Sequence, residues 1–283
     1  HKFGSDRLIG GDYGKYDQKL PSQLLFASLR ILIDFARKCD YTKEELRIME
    51  AMTGDVVYAL IAFNGDLIGL TEGSHISGNS LTVILNGICG SLNLRCAFYS
   101  TYVPESIEKR IHFRDVVALM TYGDDNIGSV KKGIEDFNIK TVSEFLEKYG
   151  QTYTMPDKES ELVPFLEEDD FEFLKRKSVF CPVKGQYVGA LIEKSIFKML
   201  HCYLYSKKCE YTEEWACAQN IDTALREWEN HGEVVYEKRR AQMKEVCERD
   251  DRIRVLCTRL DVPYSQCVDE WKQKYDPNYI PFA

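Results

Sequence analysis

The feature that most restricts what this chain can fold into is a pair of adjacent aspartates set between two apolar runs. Val116–Tyr122 and Asn126–Val130 carry the residues of strands and flank Gly123-Asp124-Asp125, a pattern that predicts strand, tight turn, strand. Neighbouring carboxylates at a hairpin tip repel each other unless a cation neutralises them. The apolar flanks place the pair over a core. A solvated turn is the plain alternative, and metal binding is the preferred reading.

Elsewhere the periodicity is mixed. Leu8–Tyr13 reads as a short buried strand ending near two carboxylates, and Pro21 suits the first turn of a helix bearing Leu25, Leu29, Leu32 and Ala36 at helical spacing. Thr42 with Glu45 predicts a capping box at a second helix. Asn64-Gly65, between Leu60–Phe63 and Leu67-Ile68, predicts a two-residue hairpin. A glycine-bearing loop from Gly73 to Gly78 leads into a long apolar helix ending near Tyr99. Thr141 with Glu144 predicts a further cap, on a helix ending near Gly150, and strands are expected at Phe171–Phe173, Val179–Cys181 and Gln186–Ala190. Beyond Leu191 the pattern turns helical, with Ile192, Ile196, Met199, Leu200 and Tyr203 on one face. The expected class is α+β, a mixed region followed by a helical one, divided near residue 190.

With 283 residues, 44% of them hydrophobic and 29% charged, the chain has the composition of a globular protein. Its longest apolar run, Val56–Phe63, is too short to cross a bilayer, and no signal-like segment stands at its start. The ten cysteines form no CxxC pair and the five histidines sit apart, so reduced, mostly buried thiols in a cytosolic compartment are expected. A net charge of −8 speaks mildly against nucleic-acid binding, yet Lys and Arg cluster at 131–132, 175–177, 207–208 and 238–240. Acidity overall with local basic patches suits an enzyme that gathers carboxylates around metal ions.

Four features follow one another in order. Asp12 and Asp17 stand five residues apart in Asp12-Tyr13-Gly14-Lys15-Tyr16-Asp17, at the end of a strand. Ser77-Gly78-Asn79-Ser80-Leu81-Thr82 opens the long helix, with Gly78, Thr82 and Asn86 four apart and so on one helix face. Tyr122-Gly123-Asp124-Asp125 is third and Phe173-Leu174-Lys175-Arg176 fourth, with Lys158 between them. Singly, each admits a bland reading: surface turn, small-residue packing or solvated lysine. Their joint order is far more specific.

Together they resemble motifs A to E of right-hand RNA polymerases: DxxxxD, SGxxxTxxxN, YGDD, a lysine-bearing loop and FLKR. FLKR and YGDDN resemble most the viral RNA-dependent RNA polymerases of the picorna-like group. The resemblance runs from about residue 7 to 205. It implies a palm of antiparallel sheet with packed helices at 1–190, holding a small fingers insertion at about 40–75, then a helical thumb at 191–283. It further implies that Asp12, the backbone carbonyl of Tyr13, Asp124 and Asp125 hold two magnesium ions, with manganese as a substitute. Asp17 and Asn86 would read the ribose 2′-hydroxyl, with Ser77, Gly78 and Thr82 beside the nascent pair. Lys158 would be a general acid, and Lys175 and Arg176 would touch the primer strand. The implied partners are an RNA template and primer, NTPs, a genome-linked protein primer and other parts of a viral polyprotein. The implied setting is a membrane-associated replication complex in the host cytoplasm.

The family places a basic fingers element upstream of its first aspartate motif, and only eleven residues precede Asp12 here. Most of the fingers are therefore expected to be absent, with little activity from this piece alone. Two other readings stay open: a reverse transcriptase-like polymerase, and a non-catalytic RNA-binding fragment of the same fold.

Overall fold

A strand buried on both faces needs partners along both edges and cover above and below. Leu8–Gly14 (β1) is such a strand, with its first four residues all buried. In the computed structural model, which describes residues 2–69, 74–75, 77–104, 109–167, 172–203 and 211–276, the chain forms two compact units, His1–Phe171 and Glu172–Ala283.

In the first unit β1 leads into α1 (Tyr16–Lys19), α2 (Ser22–Lys38) and α3 (Lys43–Val57). A hairpin of β2 (Leu60–Phe63) and β3 (Asp66–Gly69) follows, then the long α4 (Thr82–Thr101). Next come α5 (Phe113–Val116), β4 (Val117–Tyr122), β5 (Asp125–Val130), α6 (Ile139–Glu147) and β6 (Thr152–Thr154). Four strands form one antiparallel sheet in the order β4-β5-β1-β6. The central β5 is buried from Asn126 to Val130, as a strand with neighbours on both sides should be.

Local chemistry explains most of these elements. Thr42 and Glu45 form the reciprocal capping box at α3. Asn64 and Gly65 take φ of 53° and 94°, the left-handed pair that matches a two-residue hairpin to strand twist. Helix α4 is buried on nearly every side, from Leu85 to Phe98. The fully buried Phe98 ring meets Tyr102, Phe113 and Phe137 at centroid distances of 5.0, 5.4 and 5.3 Å. Aromatic pairs of this kind each add about 0.5–1.5 kcal/mol beyond the area they bury.

The second unit begins with the hairpin β7 (Arg176–Cys181) and β8 (Gln186–Leu191). It continues through α7 (Glu193–Leu200), α8 (Glu213–Trp228), α9 (Glu233–Cys247), α10 (Asp251–Arg254) and α11 (Tyr264–Tyr275). Its core centres on Ile196, Leu225, Trp228 and Tyr236. Asp222, 1% exposed, accepts backbone hydrogen bonds from Thr258 and Arg259 at 2.8 and 3.0 Å, closing the loop after α10 onto α8.

Several expectations shift. The two compact units divide at residues 171 and 172, and the β7–β8 hairpin is tied to α8 through Arg176 and Glu227. The cap of α6 is Asn138, with Thr141 as its partner inside the helix. Gly78 precedes α4 instead of sharing its face, since its φ of 98° cannot continue a helix. Phe173 makes only an isolated bridge to Arg176, and Gly73 and Phe171 lie outside the described residues. The nine described cysteines are all free thiols, but only four are buried and three are exposed, so they are not mostly buried. Among the described residues no helix is long and apolar enough to cross a membrane.

Candidate active site

The β4–β5 hairpin closes at the Tyr122–Asp125 pair, with Gly123 at φ of 62° turning the chain. Asp124 is exposed at the tip, and Asp125 is already the first residue of β5. Because Gly11 pairs with Asn126, the Asp12 end of β1 runs beside that tip. On the other edge Asp12 pairs with Thr154 of β6. The backbone beyond β6 then turns, with the Lys158 N–H donating to the Met155 carbonyl at 2.9 Å and Lys158 at φ of 67°.

That turn brings the Lys158 ammonium to 3.0 Å from Asp12 Oδ2. The Lys158 proton is held more tightly than in an ordinary lysine, first by this hydrogen bond and the charge of Asp12, then by the charges of Asp124 and Asp125. Three aspartates from two distant segments therefore act on one ammonium.

The ribose-reading candidates meet through their neighbours. Tyr16, next to Asp17, donates its hydroxyl to the Asn86 carbonyl at 3.0 Å. The backbone N–H of His75 donates to the Asp17 carbonyl at 2.8 Å. A Cβ on Gly87 would lie 3.4 Å from Thr121 Oγ1 and 3.8 Å from the Gly123 nitrogen, so α4 passes close to the aspartate hairpin. The Asn86 side-chain oxygen is buried and accepts no hydrogen bond among the described residues. Buried polar atoms are rarely left so. Ser77 and Gly78 form an exposed turn, Asn79 Oδ1 accepts from the Leu81 N–H at 2.8 Å, and Thr82 is half-buried at the start of α4.

Lys175 and Arg176 lie in the second unit. Phe173 and Arg176 exchange two backbone hydrogen bonds of 3.0 Å across Leu174 and Lys175, both left-handed at φ of 55° and 60°. Neither residue favours that conformation. Lys175 points outward, its side chain 71% exposed and 3.4 Å from Glu172. The Arg176 fork is already engaged, by both Glu227 carboxylate oxygens at 2.7 and 2.8 Å and by the Gly189 carbonyl at 2.8 Å.

Among the described residues no three His, Cys, Asp or Glu side chains converge as a ready-made metal cage. The donors Asp12, Asp124 and Asp125 still fit a hard divalent cation, since magnesium is commonly held by one or two carboxylates together with substrate phosphates and water. The lysine ammonium at Asp12 marks where positive charge is already favoured.

In the sequence Asn126 stands out only as the last residue of YGDDN, with no role attached, and Tyr153 does not stand out at all. Asn126 is 7% exposed, and its side-chain oxygen accepts from the Tyr153 hydroxyl at 2.6 Å. A polar amide at the start of an apolar strand was the available signal, because a buried amide requires partners. His75 was also passed over. It is 2% exposed, and neither ring nitrogen has a hydrogen-bond partner among the described residues.

Residues 1–247 match the family model for viral RNA-dependent RNA polymerase. The chain is 30% identical over 253 residues to the replicase polyprotein of Drosophila C virus (strain EB), covering 85% of this chain and 14% of that polyprotein. It is 26% identical over 256 residues to the replicase polyprotein of Cricket paralysis virus, covering 87% of this chain and 14% of the relative. With the RNA1 polyprotein of Cherry rasp leaf virus the identity is 29% over 257 residues, 84% of this chain and 11% of that polyprotein. Among solved structures, a Sicinivirus 3Dpol RNA dependent RNA polymerase matches with a TM-score of 0.66 at 15% identity, over 94% of this chain and 51% of the other. At that identity the likeness shows the fold.

Proposed function

The chain belongs to the viral RNA-dependent RNA polymerases, and we propose that it is the palm and thumb of an enzyme that copies a positive-strand RNA genome. The reaction is transfer of nucleotides from NTPs to an RNA 3′-hydroxyl. The observation that carries this reading is the strand register that sets the Asp12 end of β1 beside the Asp124-Asp125 tip, with the Lys158 ammonium 3.0 Å from Asp12. Residues 1–190 are the proposed palm, with a fingers insertion at about 40–75 that includes α3 and the β2–β3 hairpin, and residues 191–283 are the proposed thumb.

Asp12, the Tyr13 carbonyl, Asp124 and Asp125 are the proposed holders of two magnesium ions, for which manganese can substitute. When bound, such ions supply charge compensation and activation of the attacking hydroxyl. Asp17 accepts a hydrogen bond from the ribose 2′-hydroxyl and the Asn86 amide recognises the same group, which separates RNA from DNA precursors. Ser77, Gly78 and Thr82 shape the loop beside the nascent base pair. Lys158 holds the proton that the departing pyrophosphate takes up. Lys175 is the proposed contact to the primer backbone, and Arg176 supports it from behind, its own fork being occupied.

The named relatives are polyproteins, and this chain spans 14% of the first two. Template and primer RNA, NTPs, a genome-linked protein primer and the remaining polyprotein segments are the proposed partners. A membrane-associated complex in the host cytoplasm is the proposed location.

Primer extension on an RNA template with magnesium tests this, using the chain joined to an upstream fingers region. Ribonucleotide incorporation that disappears in Asp124→Asn supports the reading. Preference for deoxyribonucleotides points to a reverse transcriptase, and retained RNA binding without incorporation points to an inert member of the fold.

A further inference from the structure

Asn126 follows the paired aspartates directly, and its side chain faces inward. Its Nδ2 donates to the Gly11 carbonyl at 3.1 Å and, at 3.4 Å, to the Asp124 carbonyl. The Gly11 carbonyl belongs to the peptide that joins Gly11 to Asp12. The Asp124 carbonyl belongs to the peptide that joins Asp124 to Asp125. One amide therefore straps together the two peptides that carry the aspartates.

Chemistry settles the orientation of that amide. Two carbonyl oxygens on one side demand the NH₂ group, and the Tyr153 hydroxyl on the other donates to Oδ1 at 2.6 Å. Tyr153 is itself fixed from below. A Cβ on Gly11 would stand 2.5 Å from Tyr153 Cζ, so only glycine leaves room for the ring. Tyr153 lies in β6, whose end leads into the turn carrying Lys158.

We propose that Asn126 is a positioning residue that sets the separation of the Asp12 and Asp124 carboxylates, and that Tyr153 locks its amide in place. The inference rests on the polymerase reading above. Similar side chains lose part of this: aspartate would set its oxygens against two carbonyls, leucine donates nothing, and serine is too short to reach both sides. Partners that orient first-rank ligands are typically worth about 10- to 100-fold in metal affinity or activity.

The test uses Asn126→Leu, Tyr153→Phe and the double variant, each with thermal melting to confirm folding. Manganese binding to this chain is followed by the loss of the free-ion electron paramagnetic resonance signal. In parallel, turnover and its magnesium dependence are measured in the form that includes the fingers. The expected result is manganese affinity about tenfold weaker in both single variants, with a raised magnesium requirement and little change in KM for NTP. The double variant should be no worse than Asn126→Leu, since both act through one hydrogen bond. Unchanged manganese affinity in folded variants overturns the proposal, and so do effects that multiply in the double variant. Should the parent bind manganese yet incorporate nothing, the polymerase reading fails while the binding arm still decides the role of Asn126.

Discussion

Lys158 and Asp12 form a 3.0 Å ion pair that joins the end of β1 to the turn after β6. The ammonium occupies the carboxylate to which a divalent cation would bind. A divalent cation bound at Asp12 would compete with the ammonium for the carboxylate and would loosen its hold on the lysine. Lys158→Leu should therefore lower turnover by about 100-fold while strengthening manganese binding, because a competing positive charge is gone. Primer extension and a manganese titration check the two halves. Equal rates in both proteins would make Lys158 a surface residue.

Two glycines should respond in opposite directions to alanine. At Gly11 a Cβ meets the Tyr153 ring and the Thr154 carbonyl at 2.5–2.6 Å, and the backbone cannot yield. Gly11→Ala should cost about 1–3 kcal/mol in urea unfolding, with an altered near-ultraviolet tyrosine spectrum. Gly54 lies inside α3 with nothing within 4 Å of the added carbon. Gly54→Ala should stabilise by about 0.5–1 kcal/mol, so losses of similar size in both would refute the packing account of Gly11.

The turn at Leu174 and Lys175 holds two non-glycine residues in the left-handed region. Replacing them by Asn-Gly suits that geometry and should stabilise the second unit by about 1 kcal/mol. RNA affinity should fall at the same time, with the slope against log salt reduced by about one, because the proposed Lys175 contact would be lost. Unchanged RNA binding would remove Lys175 from the primer contact.

His75 gives a pH signature. Burial lowers its pKa below the ordinary histidine value. The unfolded chain then takes up a proton first as pH falls, so stability declines from about pH 6.5 down through the lowered native value and is restored on the alkaline side. Urea midpoints at pH 7.5 and 5.5 should show that His75→Leu gains relative to the parent at the lower pH. A difference independent of pH would mean that His75 is not held neutral in the fold.

The elements legible in the sequence are those whose determinants lie within a few residues of one another. The Thr42–Glu45 box, the Asn64-Gly65 hairpin and the turn at Gly123 act through local backbone bonds, and each forms where its residues indicate. The cap at α6 shows the limit, since Asn138 and Thr141 are both capping types. Tertiary contact favours Asn138, because the N–H of Ile139, at the start of the helix, is taken by the remote Pro164 carbonyl.

The sequence alone determined the α+β class, the order of the aspartate-bearing turns and the residue types from which a carboxylate site can be assembled. Only the tertiary structure decided that Lys158 rests on Asp12, that Tyr16 reaches the Asn86 carbonyl and that Asn126 ties Gly11 to Asp124. It also decided that the β7–β8 hairpin belongs with the later helices, through Arg176 and Glu227. The physical reason is one of range. Turns and caps are closed by bonds between near neighbours, whereas these contacts join groups far apart in the chain that meet only once strands and helices have packed.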